Sequence, residues 1–114
     1  MLVDGRNVLR SQWPNIPEDE LVRLTCAWAE RNDVRAELVF DGRAPEAPES
    51  DRCRVMGTSG ESADDWLTRR AAELRADGER FWLVTSDRKL REAAGEGAER
   101  TIGGGGFARE LRPR

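Results

Sequence analysis

The chain has 114 residues, with 22 Asp and Glu against 19 Lys and Arg, no His, and a formal charge of −3. Without imidazole there is no Ser-His-Asp or Cys-His nucleophile and no His-ligated metal, so any general base is a carboxylate, a lysine or metal-bound water. The length fits one domain over residues 1–114 around one core, and no apolar run reaches the roughly 18 residues of a membrane span.

In chain order, Met1–Val3 is a short apolar strand stopped by Asp4-Gly5. Pro17 followed by Glu18, Asp19 and Glu20 marks a helix start, with acids at the positive end of the helix dipole. Leu21, Leu24, Thr25 and Trp28 then fall on one face of an amphipathic helix closed by Asn32-Asp33. Leu38-Val39-Phe40 is a second strand ending at Asp41-Gly42, and the Pro-, Glu- and Ala-rich stretch Asp41–Asp51 is an exposed loop. Cys53, Val55 and Gly57 alternate with Arg52, Arg54 and Met56, as in a shorter edge strand. Ser62–Ala76 is a helix with Ala63, Leu67, Arg70/Ala71 and Leu74 inward, stopped by Gly78. Phe81–Val84 is nearly continuous apolar sequence, as a strand buried on both faces should be, and ends at Thr85-Ser86-Asp87. A short helix over Arg88–Ala94, a last strand over Arg100–Ile102, a turn over Gly103–Gly106 and a final helical turn or two over Phe107–Leu111 complete the chain. Trp28 and Trp82 read as core. Cys26 and Cys53 lack metal-ligand spacing and read as two buried free thiols. The N-terminus shows no basic segment followed by an apolar stretch, so the expected compartment is the cytoplasm.

Strands alternating with helices imply an α/β protein: a three-layer α/β/α sandwich with a central, mainly parallel, Rossmann-like sheet. Ligands of such sheets bind at the C-terminal ends of the strands, near the point where strand order reverses. Three strand ends carry an acid (Asp4, Asp41 and Asp87), and the helix after the third strand opens on Glu61, Asp64 and Asp65. Each acid alone could be a turn or cap residue. Together they set like charges along one edge, which a hard cation such as Mg²⁺ or Mn²⁺ relieves. Such an ion activates water and stabilises charge on a phosphoryl group.

Val3-Asp4-Gly5-Arg6-Asn7-Val8, Gly60-Glu61-Ser62-Ala63-Asp64-Asp65 and Val84-Thr85-Ser86-Asp87-Arg88 resemble the three motifs of NYN domains, in particular the YacP-like NYN ribonucleases of the PIN-like nuclease superfamily. The resemblance runs from Val3 to about Leu111. It implies a PIN-like sandwich and metal-dependent, endonucleolytic hydrolysis of single-stranded RNA, whether mRNA, tRNA or rRNA, at a Mg²⁺ or Mn²⁺ site. It also implies Asp4, Asp64 and Asp87 as catalytic, metal-binding acids, with Asp65 as helper and Asp41 as a further ligand. Asn7 becomes the polar partner of Asp4, and Ser86 and Arg88 become contacts to phosphate oxygens. Arg6 stands where the family commonly has an aromatic: it either adds a grip on phosphate or forgoes a ring on which a base could stack.

Arg6, Arg10, Arg43, Arg52, Arg54, Arg88 and Arg91 fall on or near the same edge, and a basic rim around an acidic centre is compatible with a net charge of −3. Trp13, in a polar, Pro-flanked loop, offers either base stacking or packing of that loop onto the domain. Gly103–Gly106 lacks the Lys-Ser/Thr ending of a P-loop, and Asp4-Gly5-Arg6 lacks the Asp-x-Asp of haloacid-dehalogenase phosphatases. The competing reading is an RNA- or ribosome-binding module with weak or partner-dependent cleavage. No membrane partner is expected, and a homodimer is left open.

Overall fold

A computed structural model describes residues 1–11 and 15–112. Five parallel strands form one sheet in the order β3-β2-β1-β4-β5. β1 (Leu2–Asp4) lies in the middle, with Val3 opposite Leu38 of β2 (Ala36–Phe40) on one side and opposite Val84 of β4 (Trp82–Val84) on the other. β3 (Cys53–Gly57) and β5 (Arg100–Ile102) are the edges, and each carries an exposed arginine, Arg54 and Arg100. From β1 the chain runs through α1 (Gly5–Leu9) and α2 (Glu18–Arg31), then lays down β2 and β3 on one side. It crosses through α3 (Ala63–Ala76) to build β4, α4 (Arg88–Ala94), β5 and α5 (Gly104–Leu111) on the other. Strand order therefore reverses between β1 and β4, where an open α/β sheet forms its ligand crevice.

The pleat sends consecutive β1 residues to opposite faces. Val3, Leu38 and Phe40 pack with Val8, Leu21, Val22, Phe107 and Leu111 on the side of α2 and α5. Leu2, Val39 and Leu83 pack with Leu67, Ala71 and Leu90 on the side of α3 and α4. Helices thus cover both faces, the expected three-layer sandwich, and the sheet is parallel throughout. Trp28 of α2 meets Phe107 of α5 edge-to-face, at 5.5 Å and 77°, which joins the two helices over one face.

The structure departs from the sequence reading in specific places. Residues 5–9 form a helix, too short to show periodicity, in which only Gly5 and Val8 are buried. Gly104–Gly106 are the first turn of α5 and not a turn between elements. A Cβ at Gly104 would lie 2.4 Å from Asn7 Oδ1, so α5 approaches α1 this closely only because residue 104 has no side chain. Cys26 and Cys53 are joined in a disulfide and are not free thiols. α2 packs on β3, which brings their Cα atoms to 5.1 Å, within disulfide range, across 27 residues of sequence. Trp82 is only half-buried, because the strand that follows it is an edge, and Arg100 there sits 5.5 Å from its ring centroid. Trp13 lies outside the described residues.

Candidate active site

The C-terminal ends of β1, β2 and β4 and the first turn of α3 open onto one cavity of about 240 Å³, lined by Asp4, Asp41, Asp64 and Asp87 with Arg6, Asn7 and Arg10. Asp4 ends β1 and is 7% exposed. Its Oδ1 accepts the Asn7 N–H at 3.5 Å, capping α1, and its Oδ2 accepts the Thr85 hydroxyl at 3.0 Å. Burial pushes the Asp4 carboxyl above the ordinary carboxylate range, the bonds from Thr85 and Asn7 oppose that shift, and the charges of Asp64 and Asp87 add to it.

Thr85 is fully buried, and its Oγ1 also accepts the Asp87 N–H at 3.1 Å. One hydroxyl therefore ties the first acid to the last. Asp87 Oδ1 accepts the N–H groups of Lys89 and Leu90, at 2.9 and 3.2 Å, and so starts α4. Asp64 projects from the first turn of α3. Its carboxyl is also pushed up, by partial burial first and then by the charges of Asp87, Asp41 and Asp65. Those contributions set Asp87, Asp41 and Asp65 within electrostatic range of Asp64.

Asp41 Oδ1 accepts the Ala63 N–H at 2.6 Å, which docks the start of α3 onto the end of β2, while its Oδ2 lies 3.7 Å from Arg6 Nη1. Asp65 is exposed outside the cavity lining, its N–H held by Ser62, the N-cap of α3. Asn7 Oδ1 accepts the Ser86 N–H at 2.8 Å, and Ser86 Oγ accepts the Gly104 N–H at 2.8 Å. These bonds lock the ends of β1, β4 and β5 together. Arg88 is exposed, 3.9 Å from Glu92, and Arg91 donates to the Thr85 carbonyl at 2.8 Å. Arg52 and Arg54 do not belong to the active edge. They face a separate groove with Arg35, Glu37 and Arg70, because β3 begins at Cys53 and its register sets Arg54 beside Glu37, near the N-terminal ends of the strands.

Thr85 and Gly104 escaped the sequence reading as site residues. Thr85 is one more residue at the end of an apolar strand until the β1–β4 register places its hydroxyl between two acids. Gly104 is one glycine in a run of four until α5 is docked.

Among the described residues no three carboxylates are already gathered as a ligand set for a single ion. The donor chemistry of the cavity nevertheless suits a hard divalent cation. Its anionic donors are carboxylates, two of which, Asp4 and Asp64, have their proton affinity raised first by burial and then by the charges of neighbouring acids, and its described lining includes no lysine.

A parallel α/β/α sandwich with acids lining the cavity at its switch point fits a PIN-like fold. The YacP-like NYN domain matches residues 1–111, and the chain belongs to that family, a ribonuclease-type domain. The crystal structure of Rae1 (YacP) from Bacillus subtilis is similar over 96% of this chain and 71% of that chain, with a TM-score of 0.73 and 24% identity. A Trp-to-Leu variant of the same Bacillus subtilis protein is similar over 96% of this chain and 72% of that chain, with a TM-score of 0.72 and 26% identity. No curated protein matches the chain.

Proposed function

We propose that the chain is a metal-dependent endoribonuclease that hydrolyses phosphodiester bonds of single-stranded RNA in the cytoplasm. The observation that carries this reading is the convergence of Asp4, Asp64 and Asp87 on one cavity at the point where strand order reverses. These three acids would hold Mg²⁺ or Mn²⁺, with Asp65 at the rim as helper. A bound ion supplies Lewis acidity toward a phosphoryl oxygen and lowers the pKa of a bound water.

The remaining steps belong to the chain. Thr85 keeps Asp4 aimed and in register with Asp87 through its two hydrogen bonds. Asn7 and Ser86 hold the three strand ends at fixed separations. Arg6, on the cavity wall, and Arg88, exposed at the start of α4, offer guanidinium groups to phosphate oxygens, which offsets the repulsion between an acidic site and an anionic substrate.

Asp4→Asn and Asp87→Asn should each abolish Mg²⁺- or Mn²⁺-dependent cleavage of single-stranded RNA while circular dichroism stays that of the parent. Full activity in either purified variant refutes the proposal. One observation favours the second reading, an RNA- or ribosome-binding module with weak or partner-dependent cleavage: no three acids are gathered into a ready ligand set among the described residues. Metal-dependent cleavage by the isolated chain decides against it.

A further inference from the structure

We propose that α1 carries a two-phosphate rail, in which Arg6 and Arg10 grip consecutive backbone phosphates of one strand as it leaves the acid cavity, with Asp41 aiming Arg6. The inference rests on the RNA-cleaving reading above and adds a binding subsite, a second cation and a positioning role for Asp41.

Arg6 and Arg10 are the two cations in the described lining of the cavity. Four residues apart, with Arg10 still helical as the C-cap of α1, they stand on one face of the helix, about 6 Å apart along its axis. The fold leaves both guanidinium groups open. Arg6 is 51% exposed, and its partner Asp41, at 3.7 Å, is too far for a hydrogen bond. Arg10 is exposed and makes no ion pair among the described residues. Like charges at i and i+4 repel, and five-residue α1 has little propensity to spare against that repulsion, so the pair is favourable when an anion lies along it.

The match to nucleic acid is one of spacing. Successive phosphates of one strand are joined by a six-bond sugar–phosphate repeat, whose through-space span is close to the one helical turn that separates Arg6 from Arg10. Asp41 can aim Arg6 because its own Oδ1 is pinned by the Ala63 N–H, which leaves Oδ2 a fixed point on the opposite wall.

The test is binding of the full chain to a fluorescein-labelled ten-residue oligouridylate, followed by anisotropy in EDTA from 50 to 200 mM NaCl. Each phosphate contact removed should lower the slope of log K against log salt by about 0.7. Arg6→Gln and Arg10→Gln should each do this, and the double variant should lower it by about 1.4. The advantage of the parent over either single variant then shrinks by about 2.6-fold across that fourfold salt range. Arg35→Gln, in the opposite groove, should leave the slope alone. On uridylyl-uridine, which has one phosphate, an NMR titration should still show the Arg6→Gln loss and no Arg10→Gln loss. Asp41→Asn keeps an oxygen for the Ala63 N–H and should shrink the effect of Arg6→Gln.

An unchanged slope in Arg10→Gln, an equal change in Arg35→Gln, an Arg10 effect that persists on uridylyl-uridine, or no binding by the parent at 50 mM salt overturns the rail. An undiminished Arg6 effect in Asp41→Asn overturns the role of Asp41. The assay holds no divalent ion and reads no cleavage. Binding with these slopes by a chain that never cleaves RNA removes the nuclease reading alone, and cleavage by a chain whose slope ignores both arginines removes the rail alone.

Discussion

Thr85→Val isolates the polar link between the two ends of the acid cluster. Val matches Thr in size and branching, so packing at this fully buried position is kept and the loss is electrostatic. The Thr85 hydroxyl donates to Asp4 Oδ2 at 3.0 Å, and a hydrogen bond to a charged group is worth about 1.5–3 kcal/mol. It also accepts the Asp87 N–H at 3.1 Å, and leaving that donor unpaired adds about 1 kcal/mol, the low end of the range because the site is partly exposed. The expected destabilisation at neutral pH is therefore about 2.5–4 kcal/mol, read as a lower urea midpoint at unchanged slope. The lost bond favoured ionised Asp4, so the penalty should shrink as pH falls through the raised Asp4 range and the carboxyl takes up its proton. Thr85→Ser restores the hydroxyl and gives up one buried methyl, a cost of about 1 kcal/mol. A Thr85→Val protein within about 0.5 kcal/mol of the parent at pH 7, or a Thr85→Ser protein equally damaged, refutes the reasoning.

Reducing Cys26–Cys53 frees a loop of 27 residues, and chain entropy assigns the closure about 3.5 kcal/mol; equal urea midpoints with and without reductant would count against a stabilising disulfide. Gly104→Ala drives a Cβ to 2.4 Å from Asn7 Oδ1 and 3.2 Å from the Asn7 carbonyl oxygen, a clash of about 1–3 kcal/mol, whereas Gly105→Ala meets nothing closer than 3.6 Å and should be neutral or stabilising. Equal melting temperatures for the two variants would show that the α1–α5 contact yields freely. The raised Asp64 carboxyl binds its proton more tightly in the folded chain than in the unfolded one, so its favourable contribution is complete below its ordinary value of 3.8 and is lost as pH rises through the higher folded value. Asp64→Asn should accordingly gain stability relative to the parent between pH 4 and pH 7, by less than about 1 kcal/mol because the side chain is exposed. A relative loss over that interval, measured by urea unfolding at both pH values, contradicts the assignment.

The layered fold was legible because its strands announce themselves locally. Leu38-Val39-Phe40 and Phe81–Val84 are apolar on both faces, and the helix over Ser62–Ala76 repeats every turn. What stayed hidden depends on contacts between elements. Neither the Cys26–Cys53 pairing nor the helical start at Gly104 has a local signal, since both follow from how α2 meets β3 and how α5 meets α1. Arg52 and Arg54 were misplaced for a related reason: the loop before β3 returns the chain to the far end of the sheet, a path that composition does not record.

The acids were legible in kind but not in duty. In sequence, an Asp after a strand reads either as a helix cap or as a site residue, and the two readings look exclusive. In the fold they are combined in the same carboxylates. Asp4 and Asp87 each spend one oxygen on a helix start, and Asp41 spends one on docking α3. A carboxylate fixed in this way by backbone N–H groups loses little further freedom when it engages a cation or an arginine, so the capping bond organises the site in advance. The same economy has a limit. Asp41 and Asp4 have both oxygens already facing a donor or a cation, whereas Asp87 Oδ2 has no hydrogen-bond partner among the described residues. Of the strand-end acids, Asp87 therefore has the oxygen least engaged by the fold, whereas Asp4 and Asp41 would meet an incoming ion through the lone pairs that their present contacts leave free.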